Sequence, residues 1–210
     1  MKIDRLILGA YETNCYVLRS SEQSQDCMII DPGLEADDLI DFLNEKKLHP
    51  VAVILTHGHI DHIAGLTELR ENYPGIKVYI HKLDAEMLTQ PMTNLSAMTG
   101  AGFTAAPADS FLEDNMTIEE AGVKLSVLHT SGHTPGGISL YAKDEGIVFA
   151  GDTLFAGSVG RTDFPGGGMR QLINSIKEKL FTLPDETKVY PGHGPTTSIA
   201  NEKKHNPFVQ

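Results

Sequence analysis

The 210 residues include no tryptophan, only two cysteines and no hydrophobic run of membrane-spanning length. Each shortage excludes something. Cys15 and Cys27 stand singly inside the apolar stretches NCYVL and CMII, without CxxC spacing, so neither a disulfide framework nor a zinc knuckle is indicated. They read as buried strand residues, and free thiols suit a reducing compartment. The opening MKIDRLILGAYETN lacks a signal-type apolar core and a small-residue cleavage site, and nothing approaches the ~18–20 apolar residues of a bilayer span. The expected location is the cytoplasm, with no membrane partner. Positive charge is scarce as well: 17 Lys and Arg against 28 Asp and Glu give a net charge of −11. That balance argues against a broad grip on nucleic acid or on anionic lipid. Linkers, low-complexity tracts and short repeats are missing too, so residues 1–210 read as one domain.

What is present is a series of short strand and helix signals. KIDRLILG, NCYVLRS and CMIID are strand-like, the last closed by the turn formers Asp31, Pro32 and Gly33. A helix is expected over about 35–47, with Leu39, Ile40 and Leu43 on one face. Val51 to Leu55 is a continuous apolar run of strand length, the signature of a strand buried on both faces. An amphipathic stretch at about 62–73 and a strand at 76–80 complete a βαβ unit. Residues 90–108 are long, Ala/Gly/Met-rich and poorly periodic; they read as a loop with a short helical turn and as a candidate lid. The second half repeats the logic with VKLSVLHT, ISLYA, IVFAGD, a helix near 168–181 and KVYPG, then a short C-terminal extension at 198–210. Two strand-rich halves with helices outside predict an α/β fold, a four-layer αββα sandwich.

The nine histidines carry most of the functional information. His57, His59, Asp61 and His62 follow the strand 51–55; His133 follows 123–130; Asp152 ends 147–151; His193 follows 188–191. Taken singly, Asp61 could be a helix cap, and His133 and Asp152 could be turn residues. Four independent strand ends each bearing a hard ligand are not expected from turn chemistry. If those ends converge, five imidazoles and two carboxylates share a cleft that needs a cation. Nitrogen and oxygen donors without thiolate suit Zn, Fe or Mn, and the donors are too many for one tetrahedral ion. Two divalent metal ions sharing a bridging ligand are therefore predicted. His49, His81, His129 and His205 have no partner spacing and are left out of the metal site, His129 reading as a packed or supporting residue.

THGHIDH, SGHTPG, GDTLF and PGHGP, in that order, resemble the metallo-β-lactamase superfamily along nearly the whole chain. The resemblance implies its αββα fold, a first metal site at His57, His59 and His133, a second at Asp61, His62 and His193, and Asp152 between them. Zinc β-lactamases usually carry Cys or another residue where this chain has His62 or Asp152, so antibiotic hydrolysis is not what the resemblance implies. NLSAMTG, GSVGRTDFPGG and EKKHNPF are similar to the short bacterial glyoxalase II-like hydrolases. The expectation is then a dinuclear-metal hydrolase, with zinc the first expectation and iron or manganese the alternatives. Its substrate would be a small anionic thioester, such as the glutathione-derived S-lactoylglutathione, attacked by metal-activated water that Asp61 orients.

Members with a full glutathione site tend to have a basic residue nine positions, and Tyr eleven positions, after the bridging Asp. Here those places hold Arg161, a candidate contact for a substrate carboxylate, and Asp163, with which Arg161 could instead form an internal ion pair. GRTDF is similar to the persulfide dioxygenases, which implies as the alternative a mononuclear-iron oxidoreductase. Another metal-dependent ester or lactone hydrolase and a non-catalytic metal-binding module are the remaining readings. Gly166 to Gly168 read as a tight turn, and Lys203 and Lys204 as solvated or as the remnant of a substrate arm.

Overall fold

The computed structural model describes residues 1–100 and 102–210; Ala101 and the Thr99 side chain lie outside the described set. The chain opens with an antiparallel meander, β1 (Lys2–Leu8), β2 (Thr13–Arg19) and β3 (Asp26–Ile30). After α1 (Asp37–Lys46) follow β4 (His49–Ile54), the short helices α2 (Ile60–Ile63) and α3 (Leu66–Asn72), and β5 (Lys77–His81). Two 3-10 segments, Lys82–Leu88 and Ser96–Thr99, lead to β6 (Ser110–Leu112). These strands form one sheet in the order β1-β2-β3-β4-β5-β6, parallel from β3 onward.

The second half contributes β7 (Thr117–Glu120), β8 (Val123–His129), β9 (Ile138–Ala142), β10 (Ile147–Gly151) and a small hairpin of β11 (Leu154–Phe155) with β12 (Ser158–Val159). It continues through α4 (Met169–Ser175), a π turn at Ile176–Leu180, β13 (Lys188–Pro191), β14 (Thr197–Ser198) and α5 (Ile199–His205). The second sheet runs β14-β13-β10-β9-β8-β7, with only β10 and β13 parallel.

The layering follows from strand alternation. On β2, Cys15 and Val17 face a core shared with Leu39 and Leu43 of α1 and Leu66 and Leu69 of α3. Their neighbours Tyr16 and Leu18 face the opposite way, into a core between the sheets with Ile54, Val127, Leu140 and Phe149. The outer face of the second sheet, with Val148, Ala150 and Val189, packs on Leu172, Ile176, Leu180 and Ile199. Three cores separate four layers, the expected αββα order, and both cysteines are buried and free.

Three elements depart from the sequence expectation. The helix expected over 62–73 is two helices, because the chain at Gly65 tucks under the Pro32-Gly33 turn. The Gly65 amide donates to the Gly33 carbonyl at 2.8 Å, and a Cβ at 65 would lie 2.9 Å from the Pro32 oxygen. The helix expected near 168–181 is present, but its second half widens into the π turn. Residues 198–210, expected as an extension, lie against the second sheet. Ile199 and Val209 enter the outer core, and buried Glu202 accepts hydrogen bonds from the Gly157 amide, Thr197 and Asn206. The expected lid at 90–108 includes Ala101, outside the described residues. Its Asn94 is buried and tied to the fold, donating to the Met87 and Phe103 carbonyls and accepting from Ile60 N through its own.

Candidate metal centre

Loops leaving β4, β8, β10 and β13 meet at one edge of the sandwich, as loops beyond strand carboxyl ends do in α/β sheets. The structure brings all seven predicted ligands together there. His57, His59 and His133 present ligand atoms within 4.8 Å of one another, as do Asp61, His62 and His193, and as do His57, His62 and Asp152. Asp152 reaches residues of both expected sets: Oδ1 is 3.5 Å from His62 Nε2, and Oδ2 is 3.7 Å from His133 Nε2 and 3.5 Å from His193 Nε2. Asp61 Oδ2 lies 3.2 Å from His193 Nε2 and 3.4 Å from His62 Nε2. Asp61 is not the cap of α2; that place belongs to His59, and Asp61 sits in the first helical turn facing the cluster.

Hydrogen bonds behind the ligands orient the rings. Thr56 Oγ1 donates to Asp31 at 2.6 Å and lies 3.1 Å from His57 Nδ1, so it can accept from that ring nitrogen. His62 Nδ1 lies 2.9 Å from Asp31 Oδ2, His133 Nδ1 2.7 Å from the Arg161 carbonyl, and His193 Nδ1 3.0 Å from the Tyr11 carbonyl. With Nδ1 protonated in these four rings, each presents an Nε2 lone pair to the cluster. His59 differs: its Nδ1 faces His133 Nε2 at 2.9 Å.

The residues fit metal ions on two grounds. His57 Nε2 and Asp152 Oδ1 are buried without a hydrogen-bond partner, and a buried polar atom in that condition costs about 1–3 kcal/mol. Burial and the surrounding imidazoles also push His57 well below the ordinary histidine range and His59 down to about 3, so both stay neutral as ligands must. The Asp61 carboxyl, which burial alone would raise, is held well below the usual carboxylate range by His62 and His193. His62 shifts the other way, because Asp61, Asp152 and Asp31 outweigh its burial.

The centre forms the floor of a cleft of about 520 Å³, lined there by His59, Asp61, His133, Asp152 and His193. Its walls are Tyr11, Leu95, Met98, Phe155, Val159 and Phe164. Arg161 lines the cleft as expected, yet its Nε and Nη2 donate to the two carboxylate oxygens of Asp163 at 2.8 and 2.7 Å. Lys203 pairs with Asp185, and neither Lys203 nor Lys204 is among the cleft-lining residues. Of the four histidines set aside, His49 pairs with Asp26 on the surface, and His81 stacks on His129 with ring centroids 4.2 Å apart. His129 Nε2 donates to the Pro135 carbonyl and so braces the loop that carries His133.

Sequence reasoning missed two carboxylates. Asp31 looked like a turn former, but it is buried, in a left-handed backbone conformation (φ 52°), and accepts from Thr56 N, Thr56 Oγ1 and His62. Asp84 is fully buried and accepts from Thr134 Oγ1 and Gly136 N. The DPG turn gave a signal for Asp31 that could be read only as local geometry, and Asp84 carried no motif.

Residues 8–193 match the metallo-beta-lactamase superfamily. The chain is 42% identical over 210 residues to a "Probable metallo-hydrolase YqgX" of Bacillus subtilis (strain 168), covering 100% of this chain and 98% of that one. It is 34% identical over 215 residues to the "Hydroxyacylglutathione hydrolase GloC" of Haemophilus influenzae (strain ATCC 51907 / DSM 11121 / KW20 / Rd), covering 100% and 98%. Among solved structures, BLEG-1 B3 metallo-beta-lactamase superposes with a TM-score of 0.94 at 40% identity, covering all of both chains. TTHA1623 in a di-iron-bound form does so with 0.86 at 35%, covering 98% and 99%. With the αββα layering and the converging ligand loops, these similarities place the chain in the metallo-β-lactamase superfamily, as one of its metallo-hydrolases.

Proposed function

We propose that the chain is a dinuclear-metal thioester hydrolase of the glyoxalase II kind, with S-lactoylglutathione as the first substrate to test. The observation that carries this reading is the pair of ligand triads joined through Asp152 on the cleft floor. The GloC relative, named a hydroxyacylglutathione hydrolase, and the di-iron neighbour support it. His57, His59 and His133 would hold one ion, Asp61, His62 and His193 the other, and Asp152 would touch both. When bound, such ions supply Lewis acidity that brings the pKa of water from 15.7 to roughly 7 and polarises a carbonyl.

The protein's own contribution is placement. Asp61 Oδ2, held ionised beside His62 and His193, accepts a hydrogen bond from the attacking water and fixes its direction toward the thioester carbon. The departing thiol is acidic enough to leave as thiolate, so no strong general acid is required. Neither cysteine serves as nucleophile, since both are buried in strand cores.

The test is metal analysis joined to anaerobic hydrolysis of S-lactoylglutathione, with a cephalosporin and glutathione persulfide plus oxygen as the other arms. Two metals per chain and release of lactate and glutathione are expected. Asp61→Ala abolishes turnover and weakens one metal site. One iron per chain with oxygen uptake on persulfide would replace this reading with a dioxygenase, and cephalosporin turnover alone would replace it with a lactamase.

A further inference from the structure

We infer that Asp163 sets how much the cleft gains from carboxylates on the thiol: by occupying the Arg161 guanidinium it leaves thioesters, glutathione-derived ones included, to bind chiefly through their apolar parts. The inference rests on the thioester reading for its substrate class, and concerns which thioesters fit. Four observations converge on it. Arg161 is the only cation among the described cleft-lining residues, and the other charged groups there are Asp61 and Asp152 or histidine. Its fork is filled in the geometry a substrate carboxylate would use, with Nε on Asp163 Oδ1 and Nη2 on Oδ2. The guanidinium also lies over the Phe164 ring, 4.1 Å from the centroid, so its face is covered as well as one edge. Finally, Tyr11 and Met98 stand 55% and 72% exposed at the cleft, apolar surface that an apolar ligand would cover.

The competition is intramolecular. Arg161 and Asp163 are two residues apart on one loop, and that loop is fastened where His133 Nδ1 donates to the Arg161 carbonyl. The Asp163 carboxylate is therefore always at hand, and an incoming carboxylate must displace it before gaining the fork. Both side chains are exposed, so displacement is opposed only by an exposed pair of good geometry, a handicap of roughly three- to fivefold in affinity. Removing Asp163 also removes one negative charge from the cleft mouth, which acts in the same direction on an anion.

The test compares two thioethers that cannot be hydrolysed and share one apolar arm, S-hexylglutathione and S-hexyl-N-acetylcysteamine, by calorimetry on the metal-loaded protein. The wild type is expected to bind them within about threefold of each other, since affinity comes from the common hexyl arm. In Asp163→Asn the ratio moves roughly three- to fivefold toward the glutathione compound, the gain shrinks in 0.5 M salt, and it vanishes in the Arg161→Ala/Asp163→Asn double variant. Preference of the wild type for S-hexylglutathione by about tenfold or more would overturn the inference, as would an unmoved ratio in Asp163→Asn or failure of both compounds to bind. Both positions are exposed, so the variants keep the fold. Since no turnover is read, absence of thioesterase activity would remove the hydrolase reading and leave the Asp163 assignment to stand on binding.

Discussion

Asp84 offers the sharpest test of how the metal centre is held. It lies on the 3-10 segment Lys82–Leu88, fully buried, and its oxygens accept from Thr134 Oγ1 at 2.7 Å and Gly136 N at 2.6 Å. The Gly58 backbone, between His57 and His59, also favours its ionised form against the effect of burial. The carboxylate thus fastens the loop bearing His133 to this segment, which also packs through Met87 against the loop bearing His57 and His59. The approach is tight: a Cβ at Gly136 would fall 2.7 Å from Asp84 Cγ, and one at Gly58 would fall 2.5 Å from Met87 Cβ. Asp84→Ala strands buried donors that each lose a bond to a charged acceptor, worth about 1.5–3 kcal/mol apiece, so a total of about 3–5 kcal/mol follows after partial relaxation. Asp84→Asn keeps the volume but turns an NH₂ toward one donor, for about 1–3 kcal/mol. Because the fastened loops carry the His57, His59 and His133 set, zinc affinity at that site should also fall about 10–100-fold. Urea unfolding of the metal-free protein measures the first effect, and zinc titration against a chromophoric chelator measures the second. Wild-type zinc affinity in Asp84→Asn, with or without lost stability, would refute the role assigned to Asp84.

Two further outcomes follow from the same structure. Asp31→Asn tolerates the left-handed backbone but weakens the hydrogen bond that orients His62, so the Asp61, His62 and His193 site should lose zinc about 10–100-fold while the other site is retained; two zinc ions held at wild-type affinity would count against it. His81 is 3% exposed and stacked on His129, and burial, then His129 and Lys82, lowers its pKa to about 4. The folded value is below the unfolded one, so its contribution is fully present above about pH 6.5 and is lost as pH falls through about 4, on the order of 1–3 kcal/mol. Metal-free His81→Phe should show a flatter stability curve between those limits than the wild type; curves of equal steepness would dismiss this account.

The convergence of the seven His and Asp residues was legible because each stands beside a strand whose apolar run announces itself, so position in sequence translated directly into position at one edge of the sandwich. Helix faces were legible for the same reason, since Leu39 and Leu43, or Leu172 and Ile176, repeat at helical spacing and enter the predicted cores. What could not be read depends on contacts distant in the chain. Gly65 breaks a helix because Pro32 and Gly33 occupy the space beside it. Asp31 serves His62 across 31 residues and Asp84 serves Gly136 across 52, and no local pattern encodes either pairing.

Arg161 shows where the boundary between the two lies. The spacing in GRTDF permits an internal ion pair and permits a substrate contact, since residues two apart on a loop can turn toward or away from each other. The choice is made by Phe164, whose ring supports the guanidinium from below, and by the His133 bond to the Arg161 carbonyl, which fixes where the side chain starts. With those two constraints the fork meets Asp163 squarely. A loop that orients His133 through its backbone therefore also determines, through its side chains, how much of the Arg161 fork is left free at the cleft.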